Sequence, residues 1–220
     1  MLFFDWEYDF CDVFVTNVLF VYNVHMVQYF ENDASQKDKP STISFTIQDH
    51  AFMLESNSGV FSKDRLDTGT RILLEAILEN ESSCSHVLDL GCGIGPVGVV
   101  LGTFWHCDLT CIDVNEKAVQ LTKRNLQKNG LSGNVLCSDG VQSGTYDCVV
   151  LNPPIRAGKK TIYRLFDEAM AHCTNHLWIV MRKQHGAASA QDYLATKYSV
   201  SRVKRDKGYW VLRVSSDDVV

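Results

Sequence analysis

Hydrophobic residues recur along this chain in two periods, one of two and one between three and four, and the two periods take turns. Thr42 to Asp49 alternates cleanly, with Ile43, Phe45 and Ile47 on one side, and predicts a half-buried strand. Phe52 to Glu55 predicts its returning partner, followed by turn chemistry in Ser56-Asn57-Ser58-Gly59. Thr70 to Leu78 has helical spacing, with Ile72, Leu73, Ala76 and Ile77 facing inward and Asp67 or Thr68 as its cap. From Val87 onward short apolar runs replace the alternation. Val87–Leu90, Asp108–Val114, Asn134–Gly140, Tyr146–Leu151 and His176–Met181 read as strands. The intervening helices are the apolar run after Pro96, then Asn115–Asn129, Arg164–Cys173 and Ala188–Tyr198. Ser199–Val203 and Tyr209–Val214 close the chain as a hairpin around Arg205-Asp206-Lys207-Gly208.

Strands that alternate with helices demand crossover connections, so the class is α/β. The expected sheet is mostly parallel, with a C-terminal antiparallel hairpin and a small N-terminal β-element. We divide the chain at 26–58 for that element and 59–220 for the main domain.

Residues 1–25 fit neither period. They hold five phenylalanines and four acidic residues (Asp5, Glu7, Asp9, Asp12) without Lys or Arg. A secretory signal needs a positive start, and the apolar part, Val13 to Val24, is too short to span a bilayer. Met26 opens more ordinary sequence, so 1–25 is expected to be an upstream extension. The alternative is an added strand or helix that covers an apolar edge.

The centre of the chain is Val87-Leu88-Asp89-Leu90-Gly91-Cys92-Gly93-Ile94-Gly95-Pro96-Val97-Gly98. A strand passes through spaced glycines into a helix whose first turn tolerates Pro96. Such a unit builds a nucleotide-type cofactor site at the strand's end. Asp113 follows Gly93 by 20 residues, the offset at which a carboxylate meets ribose hydroxyls; it could equally cap the next helix. Gly93 to Gly98 also satisfies the G-x-G-x-x-G pattern of dinucleotide binders, a weak match by itself.

Composition narrows the chemistry. Eight cysteines without a C-x-x-C pair, and seven histidines without metal spacing, speak against zinc and disulfides and for a reducing, cytoplasmic setting. Net charge is −5, yet Arg156 to Arg213 carries 12 Lys and Arg against 4 Asp and Glu. A basic C-terminal third on an acidic chain is expected to be a nucleic-acid footprint, the alternative being a set of solvated helix faces and hairpin edges.

Leu151-Asn152-Pro153-Pro154-Ile155 supplies the second chemical element. An exocyclic amine on a nucleobase is a poor nucleophile because its lone pair is delocalised into the ring. Two acceptors that hold its two N–H bonds turn the lone pair toward an electrophile. The Asn152 side-chain carbonyl and the Pro153 backbone carbonyl would supply such a pair; the alternative is a plain X-Pro-Pro turn after a strand. Consecutive prolines fix two φ angles and bias Asn152 away from helical conformation, so the acceptors stand in place beforehand.

These elements carry a resemblance. Gly59-Val60-Phe61-Ser62-Lys63-Asp64-Arg65-Leu66-Asp67, then Asp89-Leu90-Gly91-Cys92-Gly93-Ile94-Gly95, then Asn152-Pro153-Pro154-Ile155-Arg156-Ala157-Gly158-Lys159, occur in that order. The set resembles small-domain class I methyltransferases related to bacterial 16S ribosomal RNA guanine-N2 methyltransferases, over about residues 27–214. It implies a Rossmann-like class I methyltransferase fold, S-adenosylmethionine as cofactor and ribosomal RNA or the small ribosomal subunit as substrate, with guanine N2 as the target. It places Phe61, Asp67, Gly69 and Thr70 over the methionine end of the cofactor. Asp89, Gly91, Cys92, Gly93, Gly95 and Pro96 would form the glycine loop. Asp113, Val114 and Asn115 would face the ribose, and Asp139 with Gly140 the adenine. Asn152, Pro153, Pro154 and Ile155 would be the catalytic segment, with Asn152 also touching cofactor. Ile155 stands where many such enzymes have an aromatic, so Phe61 could provide the stacking. Adenine N6, a protein glutamine amide, or a non-catalytic RNA-binding assembly role are the alternatives.

Overall fold

The computed structural model describes residues 39–58, 60 and 65–216; the expected extension 1–25 and Phe61 lie outside them. Strands β1 (Ser41–Ile47) and β2 (His50–Ser56) pair antiparallel through a two-residue turn. Gln48 and Asp49 in that turn both take positive φ, as a tight hairpin requires. Helix α1 (Thr68–Asn80) leads to β3 (His86–Leu90), α2 (Pro96–Trp105), β4 (Asp108–Asp113), α3 (Glu116–Lys128) and β5 (Asn134–Cys137). Then come β6 (Tyr146–Leu151), a 3-10 turn at Ile155–Ala157, α4 (Gly158–Ala171), β7 (Cys173–Arg182), α5 (Ala187–Ala195), β8 (Ser199–Asp206) and β9 (Tyr209–Ser215).

The seven-stranded sheet runs β5-β4-β3-β6-β7-β9-β8, with β9 antiparallel to both neighbours and the other pairs parallel. The expected α/β fold with a mostly parallel sheet, C-terminal antiparallel hairpin and small N-terminal β-element is what forms. Chain order reverses between β3 and β6, and ligands of open α/β sheets lie in the crevice at that point.

Two hydrophobic cores cover the sheet's faces. Side chains at Val87, Cys111, Val150, Trp178 and Val180 face α1, α2, α3 and the β1–β2 hairpin. Leu88, Ile112, Val149, Leu151, Ile179 and Met181 face α4 and α5. Residues two apart on a strand share a face. Asp89, Asp113, Asn152 and Arg182 therefore belong to the first face, at the C-terminal edge of four adjacent strands.

Several boundaries differ from those expected, and β5 and α5 each end three residues early, at Cys137 and Ala195; three other shifts have a local reason. Helix α4 begins at Gly158, not Arg164, because its first turn (Gly158-Lys159-Lys160-Thr161) is polar and carries no apolar signal. Strand β7 begins at Cys173 rather than His176, since its exposed Thr174 and Asn175 hide the period. Strand β8 runs on to Asp206 through Arg202, Lys204 and Arg205. It is the sheet's edge, where charge replaces burial.

Asn125 ties the hairpin to the sheet. Fully buried, its amide nitrogen donates to Glu55 O at 3.0 Å and Ile94 O at 2.8 Å, and its Oδ1 accepts from Glu55 N at 2.7 Å. Asn125→Leu leaves three backbone groups without partners, each costing about 1–3 kcal/mol. We expect a marked fall in the urea unfolding midpoint, larger than for Asn129→Leu at the half-buried C-cap of α3.

Candidate active site

Three segments converge at the sheet's C-terminal edge. The first is the glycine loop. Gly91 and Gly93 have φ of +75° and +56°, conformations that L side chains rarely adopt. A Cβ built on either would meet nothing within 4 Å. Their surface is a cradle open to a ligand, which a side chain would fill.

What the cradle offers is decided by its hydrogen bonds. Gly91 N and Cys92 N both donate to Ile112 O, at 2.8 and 2.9 Å. Gly93 N donates to Asp113 Oδ2 at 2.8 Å, and Gly95 N to Cys92 O at 2.9 Å. A loop that binds a pyrophosphate points such N–H groups at the anion. Here these four are spent inside the protein. What faces this edge instead is a pair of carboxyls.

Asp89 is 3% exposed, and its Oδ2 has no hydrogen-bond partner among the described residues. Burial pushes its carboxyl up to about 7, against the pull of the Gly98 N–H and with a further push from Asp113. Asp113 is also raised by burial, although the backbone of Asn115 and Gly93 draws it back. Its two oxygens accept from Asn115 N and Gly93 N, so it clasps the glycine loop to the turn after β4. It does not cap α3. Asn115 does, accepting from Lys117 N at 2.9 Å and Ala118 N at 3.2 Å, because two further residues are needed before the chain turns helical. Buried acidic groups and spent N–H donors suit a cationic cofactor and not a phosphate-bearing one.

The second segment is Asn152-Pro153-Pro154, which leaves the sheet from β6. Asn152 Nδ2 donates to Asp67 Oδ2 at 3.2 Å and to Thr70 Oγ1 at 3.0 Å. A carboxylate only accepts, so it fixes which end of the amide faces it. The Asn152 carbonyl consequently points the other way and meets no partner among the described residues. Pro154 O accepts from Ala157 N at 2.9 Å, closing the 3-10 turn, while Pro153 O is likewise free among the described residues. Ile155 is half-buried against the second core, on the α4–α5 side.

The third segment is the start of α1. Asp67 caps it, accepting from Thr70 N at 2.9 Å, and the Thr70 hydroxyl lies 3.3 Å from the same oxygen. Thr68, the other cap weighed from sequence, is already helical. One carboxylate thus caps the helix and orients Asn152.

The other expected positions are distributed around this edge. Cys92 is buried, and the Cys111 thiol beside it, together with burial, pushes its own thiol well up, so it is no nucleophile. Pro96 opens α2 after Gly95. Asp139 is exposed, and one of its oxygens is paired with Arg164 at 2.6 Å; Gly140 lies under the same Arg164–Glu168 pair. Thr122 escaped the sequence reading. It donates to Gly93 O at 2.8 Å and, with Asn125, pins the loop from α3. The signal was there, in two polar residues three apart on the buried face of an amphipathic helix.

Comparisons with known proteins agree with this geometry. Residues 51–213 match the family described as Methyltransferase small domain. The uncharacterized protein YbxB of Bacillus subtilis (strain 168) is 37% identical over 194 residues, 84% of this chain and 96% of the relative. The Ribosomal RNA small subunit methyltransferase C of Pseudoalteromonas translucida (strain TAC 125) is 35% identical over 154 residues. That match covers 68% of this chain but 44% of the relative, so the chain spans less than half of that enzyme. In structure, the T. thermophilus 16S rRNA N2 G1207 methyltransferase (RsmC), in complex with AdoMet and guanosine, superposes with a TM-score of 0.71 at 22% identity. It covers 80% of this chain and 50% of that one. The chain belongs to the small-domain methyltransferases.

Proposed function

We propose, for this small-domain methyltransferase, that it transfers a methyl group from S-adenosylmethionine to the exocyclic N2 amine of a guanine in small-subunit ribosomal RNA, in the cytoplasm. The observation that carries this reading is the Asn152 amide, held by its nitrogen on Asp67 and Thr70, which turns its carbonyl away from both. Two fixed acceptors suit an NH2 group, which offers two N–H bonds in one plane.

When bound, the cofactor supplies a methyl group already activated on a sulfonium, whose leaving group is a neutral thioether. No protein acid is then needed, and the residues serve to bind and orient. Asp89 would hold the cofactor's ammonium, with Gly91, Cys92, Gly93, Gly95 and Pro96 forming its bed. Asp113, Val114 and Asn115 would face its ribose, and the Asp139 oxygen not engaged by Arg164, with Gly140, its adenine. Phe61, Asp67, Gly69 and Thr70 would close over its methionine end. The Asn152 and Pro153 carbonyls would accept the amine's two N–H bonds, directing the lone pair at the methyl carbon. Orientation of this kind replaces a strong base.

RNA as substrate draws support from basic groups, some of them stacked on a half-buried aromatic ring. Arg202 and Arg205 lie over the Trp210 ring at 4.2 and 5.3 Å, and Arg156, Lys159 and Lys160 are exposed just after Asn-Pro-Pro. Among the described residues, no helix is long and apolar enough to cross a membrane.

A pH dependence follows from Asp89. In the ligand-free protein its carboxyl titrates near 7 instead of 3.8, so folding favours the protonated form. That stabilisation is complete below about 3.8 and is lost as pH rises through about 7. The thermal midpoint of the free protein should therefore fall from pH 5 to pH 8. Cofactor affinity should rise over the same range, because an ammonium binds the ionised carboxylate. Asp89→Asn should flatten both curves; calorimetry at four pH values checks them.

The function itself is tested by transfer of labelled methyl into separate pools of naked 16S RNA, assembled small subunits and protein extract. Label in RNA that survives protease supports the reading. Label in protein, or in adenine, overturns the substrate while keeping the chemistry. Cofactor binding without transfer to any pool makes the chain a binding factor.

A further inference from the structure

The transfer described above leaves one group at this edge without a task. Arg182 ends β7, the strand beside that of Asn152, and projects on the same face of the sheet. Its Nε donates to Tyr209 Oη at 2.8 Å, and its guanidinium carbon lies 4.9 Å from the centre of that ring. A hydrogen bond and a ring together fix the guanidinium plane. The side chain is nevertheless exposed, and its two terminal nitrogens have no partner among the described residues.

Tyr209 is itself fixed against the active site. A Cβ at Gly69 would lie 2.8 Å from Tyr209 Cε1, so only glycine lets the ring pack there. Gly69 sits between Asp67 and Thr70, the two residues that hold Asn152. The Asp67 carboxylate also lies close enough to favour the charge on Arg182. The arginine fork and the Asn152 carbonyl are thus braced on one helix end. Leu151 pairs with Ile179, which sets Arg182 two residues past the position opposite Asn152, about 7 Å further along the strand. The two residues therefore stand at the ends of adjacent strands, on one face of the sheet.

We propose that the terminal fork of Arg182 reads the O6 and N7 atoms of the target guanine while Asn152 and Pro153 hold its N2. The inference rests on the guanine reading above. Guanine presents two adjacent acceptors across the ring from its amine, and a planar fork with parallel N–H bonds matches them in bidentate fashion. Adenine with N6 at Asn152 offers no such pair, so Arg182 sets the choice of base. A phosphate would also fit a fork, and the test separates the two.

The experiment compares the full chain with Arg182→Gln and Arg182→Lys on an RNA that the unsubstituted protein methylates, made with guanine or with 7-deazaguanine at the target. Arg182→Gln should lower kcat/KM by about 10- to 100-fold on the guanine RNA, with S-adenosylmethionine affinity and melting temperature unchanged. Loss of N7 should cost the unsubstituted protein about tenfold and cost either variant nothing. Arg182→Lys keeps the charge without the fork, and serves if the glutamine variant folds poorly. An equal 7-deaza penalty in protein and variants overturns the proposal and leaves guanine methylation standing. So does a slow variant whose parent ignores N7, which makes Arg182 a phosphate contact. If the parent forms no N2-methylguanosine in any RNA, the functional reading falls, and this inference with it.

Discussion

Asn152→Ala lowers kcat by about 100- to 1,000-fold and leaves cofactor affinity within a few-fold. The size follows from removing one fixed polar group at the point where bonding changes in the transition state. Alanine abolishes one of the two acceptors proposed for the amine and frees Asp67 and Thr70 to turn toward solvent. The lone pair then points at the methyl carbon only by chance, so the loss lies in kcat and less in KM. Asn152→Asp is the sharper probe. It keeps an acceptor but sets a carboxylate against the Asp67 carboxylate that now receives an amide N–H. Like charges repel, and the aspartate would swing away. It should therefore resemble alanine instead of rescuing it. Single-turnover transfer with separate cofactor titration measures both effects.

Gly93→Val weakens S-adenosylmethionine binding by about 100-fold with the fold retained. Glycine there has φ of +56° and open space where a Cβ would stand. A valine brings backbone strain of about 1–2 kcal/mol and puts three carbons into the cradle. Overlap of that kind costs about 1–3 kcal/mol of binding, about 5- to 150-fold, whereas the strain is present with and without the cofactor and falls on stability alone. Because nothing within the protein occupies the space, the melting temperature should fall far less than affinity. Isothermal titration beside a thermal melt distinguishes the two.

Much of this edge is legible in the sequence because its parts are local. The strand, glycines and Pro96 around Gly93 write a turn into a contiguous stretch, and Tyr146–Leu151 delivering Asn152 is a run bounded by two prolines. Elements with a clear period were placed to within a few residues, as in β6, while α4 and β8 were shortened where their polar ends carry no period. What the sequence does not display is who holds whom. Asn152 meets Asp67 and Thr70 across 85 and 82 residues, and Asn125 meets Glu55 across 70. Such pairs have no spacing rule; they exist only once the sheet sets strand ends side by side. Arg182 and Tyr209 were invisible for the same reason. Tyr209 reads as an ordinary strand residue and Arg182 as one just past a strand, until the antiparallel register of β7 and β9 makes them neighbours. Asp113 shows a milder failure. Its offset from Gly93 suggests a cap or a ribose contact, and neither includes its bond to Gly93 N, which braces the loop.

The central claim is that the free carbonyls of Asn152 and Pro153 select an exocyclic amine. It is tested most directly by digesting methylated RNA to nucleosides and assigning the labelled methyl by mass spectrometry against standards. The account predicts N2-methylguanosine, absent from RNA treated with the Asn152→Ala protein. Methyl on a ring nitrogen or a pyrimidine carbon, formed equally well by that variant, would contradict it.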